Sequence, residues 1–163
     1  MPLLPPLTRP PKATGIPFLK LYLPPWTPIL IPMEQAQEVL ILPIAQLTCM
    51  PDMPPCVLGL INRRSRIFWL VDLGNLLGFA PLPPTLPHYR VTTVRVGQTA
   101  LGLAVQDIRG VVRVSPDQIQ PIQGSIGEQL TPYLKGMVLQ QDDVLLILNP
   151  EAIGESPILQ AAN

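Results

Sequence analysis

Proline stands at 23 of the 163 positions, and no other feature limits the possible folds so strongly. Its ring removes the backbone N–H and clashes with the preceding helical turn, so it sits neither inside a helix nor in the middle of a sheet ladder. Four of the longer proline-free stretches run from Met33 to Leu42, Cys56 to Ala80, His88 to Ser115 and Tyr133 to Asn149. Each reads mainly as strand, and long helices are excluded almost everywhere. The chain is therefore expected to be mainly β, built of short strands.

Phe18 to Leu23 and Ile29 to Pro32 are expected to pair as a hairpin around the turn PPWT. Met33 to Glu38 offers a brief turn of helix before Val39 to Leu42 resumes an extended run. Leu58 to Ile61 and Ile67 to Val71 form a second strand pair across the polar clump NRRSR. Asp72 is placed to cap a short helix, Leu73 to Leu77, which Gly78 ends. A rigid proline-set connector occupies about 80–90. After it, Val91 to Val96 and Leu101 to Val105 make a hairpin about Gly97 and Gln98. A loop rich in Pro, Gln and Gly runs from Ser115 to Pro132, and Met137 to Leu139 and Val144 to Leu148 close the series.

The two halves resemble each other. One constant offset sets Gly59 on Gly136, Ile61 on Val138, Ile67 on Val144, Leu70 on Ile147 and Asp72 on Asn149. A slightly smaller one sets Glu34 on Gln106 and Val39 on Val111. Self-similarity of this kind points to two similar lobes. With about five short strands to a lobe, a small closed barrel is the economical form, because closure removes exposed sheet edges.

Hydrophobic residues make up 47% of the chain, enough for a proper core, either in one domain or in two lobes sharing an interface. The formal charge is zero, with 11 basic and 11 acidic residues, so no electrostatic footprint for nucleic acid or an anionic membrane appears. No apolar run reaches the ~18 residues of a membrane helix. Residues 1–17 lack the basic-then-apolar order of a signal peptide and read as a flexible Pro-rich tail of a cytoplasmic protein. A PxxP spacing at Pro2 and Pro5 follows from composition. Residues 156–163 read as a second flexible tail.

Catalysis finds little support. His88, the one histidine, has no cue placing it beside Ser65, Cys49 or Cys56. The two cysteines and one histidine cannot make a metal set, and they read as reduced thiols, with a disulfide as the alternative. Asp142 and Asp143 suit a solvated hairpin tip better than a carboxylate pair. Gly74 and Gly78 lack the spacing of a phosphate loop. Neither an enzyme nor a cofactor is expected.

The clump Asn62, Arg63, Arg64, Ser65 and Arg66 is the conspicuous polar feature. It can be a soluble hairpin turn, or its arginines can pair within the chain with Glu38 or Asp72. It can also be a partner-binding edge, since the planar guanidinium pairs with carboxylates and stacks on aromatic rings.

The segment EVL from Glu38 and the run PPCVLGLINRRSRIFWLVDLGNLLG from Pro54 resemble the CheW family of chemotaxis coupling proteins, as do LGLAVQDIRGVVRV and YLKGMVLQQDDVLLILN. The resemblance covers roughly Phe18 to Ile153, sets a CheW-like domain at residues 18–155, and implies two SH3-like five-stranded barrels with no catalytic activity. Family members bridge methyl-accepting-type receptors to a CheA-type histidine kinase. The receptor tip docks in the cleft between lobes, the kinase regulatory domain at a lobe end. The resemblance implies partner-binding roles for Glu38, Val39, Asn62, Arg63, Arg64 and Ser65, with Arg64 foremost, and extends to ring assembly or a homo-oligomer. Ser65 replaces the family's turn glycine, and Arg63 stands where an apolar residue is usual. The prolines suggest a branch serving pilus-based phototaxis or twitching motility. Two other readings stand beside the adaptor: an interaction module in pilus assembly without a kinase partner, and a small hydrolase or ligand-binding barrel using His88 with a cysteine.

Overall fold

The computed structural model describes residues 15–122 and 127–160, so most of the N-terminal tail, with its PxxP spacing, lies outside the described residues. In chain order the strands are β1 (Ile16–Leu23), β2 (Thr27–Pro32), β3 (Ala36–Pro43), β4 (Leu47–Thr48), β5 (Val57–Arg63) and β6 (Arg66–Asp72). They continue as β7 (His88–Val96), β8 (Thr99–Val105), β9 (Asp107–Val114), β10 (Ile119–Gln120), β11 (Leu134–Gln140) and β12 (Asp143–Leu148). The α-helices are short: α1 (Leu73–Leu76), α2 (Pro150–Gly154) and α3 (Pro157–Gln160). The mainly-β expectation holds. The helical turn read at Met33 to Glu38 does not form: a tight turn closed by Gln35 N–H on Pro32 O and Ala36 N–H on Met33 O leads straight into β3, whose ladder to β7 claims Ala36 and Glu38.

One sheet runs β10-β11-β12-β2-β1-β9 and the other β4-β5-β6-β8-β7-β3. These are the same arrangement, so the internal repeat is real, but the sequence halves are not the lobes. Each sheet takes its central hairpin from the other half. Parallel pairing makes the exchange, β12 with β2 (Ile147↔Leu30) and β6 with β8 (Leu70↔Gly102). Neither half alone can complete a sheet, since either would leave the edges of its three-strand ladder and of its hairpin unpaired.

Three clusters of buried side chains follow from this exchange. Leu30, Val114, Val138, Leu145 and Ile147 belong to one sheet's own core, and Leu42, Ile61, Phe68, Leu70 and Val91 to the other's. The largest cluster draws on both sheets and includes Ile29, Ile31, Val71, Leu103, Leu146 and Leu148. Strands β2, β6, β8 and β12 thus bury both faces, which is why they read as near-continuous apolar runs rather than alternating ones.

The repeat extends to hydrogen bonds. Asp72 N–H donates to Cys56 O and Asn149 N–H to Tyr133 O, each at 2.7 Å. Asp72 caps α1 as expected, its Oδ1 accepting from Asn75 N–H at 3.2 Å, and its Oδ2 ties down the proline connector by accepting from Leu82 N–H at 2.9 Å. The described residues 156–160 continue into packed structure: Ser156 is buried with its hydroxyl 2.7 Å from that of Tyr133, and Leu159 is buried. No helix among the described residues is long and apolar enough to cross a membrane.

Candidate partner-binding site

Strands β3 and β5 stand near opposite ends of their sheet's order, yet their ends meet. Arg63, the last residue of β5, donates to Glu38 Oε1 from Nε at 3.1 Å and from Nη2 at 2.6 Å. The sheet must therefore curl until its far strands touch, as a barrel lobe requires. The Arg63 hydrogen bond holds the Glu38 carboxyl below the usual glutamate range, assisted by the charges of Arg63 and Arg64 and opposed by partial burial. Glu38 in turn raises the Arg63 pKa.

Arg64 occupies a different situation. Its Nη2 is 4.0 Å from the same carboxylate oxygen and its side chain is 78% exposed, against 33% for Arg63. Arg64 and Ser65 are the two central residues of the β5–β6 hairpin, with φ of 51° and 65°. Both are left-handed, as a two-residue turn matched to strand twist demands. Ser65 therefore occupies a backbone conformation that glycine takes most readily. The opposite lobe repeats the device at Gln141 and Asp142, with φ of 46° and 70°.

Glu38, Arg63, Arg64 and Arg66 line a cavity of about 430 Å³ floored by Phe68 and Ala100. Phe68 and Ala100 also line a larger cleft of about 810 Å³, walled by Ile67 and Trp69 on one side and by Glu151, Glu155 and Leu159 on the other. The arginine rim thus opens onto a cleft between one lobe and the helices that follow the other. Val39, Asn62 and Ser65 line neither cavity but are exposed on the same strands and turn, with Val39 at 53%. The pairing of an arginine with Glu38 is present at Arg63. Pairing with Asp72 is not, because that carboxylate is 2% exposed and accepts backbone N–H groups.

Sequence reasoning missed Phe68, Trp69, Ala100, Glu151 and Glu155. Ala100 belongs to a hairpin that the repeat assigns to the other half, so only the strand exchange brings it beside Phe68. His88 is exposed at the start of β7, whereas Cys56 is buried in the shared core, where burial raises its pKa. Neither residue, nor Cys49, lines either cavity described above. Among the described residues no three His, Cys, Asp or Glu side chains cluster as a metal site would require.

Two strand-exchanged β lobes are the fold of a solved CheW scaffold. The crystal structure of the scaffolding protein TtCheW from Thermoanaerobacter tengcongensis matches with a TM-score of 0.71 over 83% of this chain and 89% of that one, at 19% identity. The CheW-like domain family model matches residues 27–157, and the chain belongs to that family. A probable chemotaxis protein CheW of Rhizobium etli is 26% identical over 71% of this chain and 74% of its own length. Protein PilI of Pseudomonas aeruginosa is 28% identical over 76% of this chain and 67% of its own. CheW family proteins are non-catalytic scaffolds.

Proposed function

We propose that this chain is a cytoplasmic, non-catalytic adaptor that couples a methyl-accepting-type receptor to a CheA-type histidine kinase. The observation that carries the reading, beyond family membership, is the continuity of the Glu38–Arg63–Arg64 rim with the inter-lobe cleft through Phe68 and Ala100. A receptor's helical tip would lay apolar side chains against Ile67, Phe68 and Trp69 while Arg64 pairs with a carboxylate at its edge, and Val39, Asn62 and Ser65 would border the contact. The kinase regulatory domain would engage a lobe end. Holding both partners on one scaffold makes the second contact effectively intramolecular, which is how a protein without chemistry of its own raises kinase control.

Similarity to PilI supports a second version of the same role, in which the pathway serves pilus-based motility rather than flagella. The hydrolase reading has no such support, with His88 and Cys56 in separate places. The test is calorimetric titration of the full chain with the regulatory domain of the histidine kinase encoded in the same genome, at two salt concentrations. Micromolar binding that weakens with salt is expected. Absence of heat from a folded sample would remove the kinase partner and leave the assembly-module reading.

A further inference from the structure

A second surface, away from the arginine rim, gathers aromatic rings and cations that the adaptor reading does not use. Trp26, at the β1–β2 turn, is 56% exposed and has a φ of 147°, a region that bulky side chains rarely occupy. Its ring meets that of Tyr22 edge-on, with centroids 5.7 Å apart at 67°. Lys20 Nζ and Arg109 Cζ each lie 5.5 Å from the Tyr22 ring centroid. Arg109 Nε also pairs with Asp107 at 2.6 Å, and Asp107 pairs with Arg90 Nη1 at 3.4 Å. Three cations against one carboxylate make a local excess of positive charge on a chain whose formal charge is zero.

The patch spans both sheets, with β1 and β9 from one and β7 from the other. Arg90 lies near the start of β7, about 10 Å along the strand from Thr93 of the arginine-rim cavity and about 23 Å from Gly97 in the larger cleft, at ~3.3 Å per residue. An exposed indole, a half-buried phenol and exposed guanidinium groups on one sheet surface are side chains of the kind that most often anchor protein interfaces. An indole in water contributes nothing to folding that a turn-forming residue would not supply at lower strain.

We propose that the patch formed by Lys20, Tyr22, Trp26, Arg90 and Arg109 docks an acidic segment of a partner protein carrying one aromatic or large apolar anchor. The anchor stacks on Trp26 and Tyr22 while carboxylates on either side pair with Lys20 and the two arginines. Charge complementarity selects an acidic partner. One exposed indole offers a bilayer little apolar surface, which favours a protein segment over a sheet of anionic headgroups. The inference is independent of the receptor and kinase assignment.

The test titrates the full chain into a dye-labelled synthetic peptide, one phenylalanine flanked by glutamates, and reads fluorescence anisotropy. A version with glutamine in place of glutamate, and phosphatidylserine–phosphatidylcholine vesicles, are run in parallel. Saturable, salt-sensitive binding of the acidic peptide is expected, weakened at least about tenfold by Trp26→Ala or Arg109→Glu and unchanged by Lys135→Glu, an equal charge change elsewhere. Circular dichroism checks folding, and Lys20→Glu replaces Arg109→Glu if that variant does not fold. The proposal is overturned by no saturable binding, equal binding of the glutamine peptide, undiminished affinity in Trp26→Ala, or binding to the vesicles alone.

Discussion

Arg63 holds Glu38 at 2.6 Å across the ends of a curled sheet, while its neighbour Arg64 stands 4.0 Å from the same oxygen with its side chain in solvent. Adjacent residues of one charge thus divide two tasks: Arg63 orients Glu38 and Arg64 reaches outward. Arg64→Ala is expected to weaken partner binding about tenfold while leaving the melting temperature nearly unchanged. Arg63→Ala should instead weaken binding indirectly by releasing Glu38, and combining it with Glu38→Gln should add little beyond either change alone. Calorimetry and melting curves on the set check both statements; a large stability loss in Arg64→Ala would make it a structural residue.

The β5–β6 turn places Ser65 at a φ of 65°. A side chain there costs about 1 kcal/mol relative to glycine. Ser65→Gly is therefore expected to raise the melting temperature by about 2–4 °C for a chain of this size. An unchanged or lower melting temperature would mean that the turn adopts another conformation in solution.

Gly59 sits in a strand bulge, with φ of 153°, where a Cβ would lie 2.4 Å from Thr48 O. That contact is with backbone of the short strand β4 and cannot be relieved by a side-chain rotation. Gly59→Ala should destabilise the protein by about 2 kcal/mol or more, read from the urea midpoint.

Asp72 is 2% exposed, and burial holds its carboxyl above the usual aspartate range although the N–H groups of Leu82, Asn75 and Gly74 pull it down. A raised folded-state pKa contributes stability that is fully present below the unfolded value and lost as pH rises through the folded one. Asparagine, which the other lobe carries at Asn149, keeps an acceptor oxygen and removes the titration. Asp72→Asn should thus compare least well with the wild type at about pH 3, below the unfolded-state value, and gain on it by about pH 7. Melting temperatures of the two proteins across this interval give the sign, and a constant difference would contradict the raised pKa.

Proline spacing and the repeat made the strand inventory, the α1 cap at Asp72 and the two-lobe form legible in the sequence. They could not reveal which hairpin joins which sheet. Local patterning specifies a strand's faces but not its distant partner, and β2 and β8 are apolar on both faces. The same gap hid half of the candidate site: Arg63, Arg64 and Glu38 announced themselves by charge, whereas Phe68 and Ala100 face one another only after the exchange. The Trp26 patch was equally invisible, because Tyr22 and Arg109 meet through β1–β9 pairing between residues far apart in the chain.

The most direct test of the adaptor account is amide chemical-shift mapping of the isotope-labelled full chain titrated with the helical tip of its receptor. The account predicts perturbations at Glu38, Val39 and Asn62 to Ser65 that run continuously into Phe68, Trp69 and Ala100 along the cleft. Saturable binding whose perturbations spare the arginine rim and the cleft would contradict it.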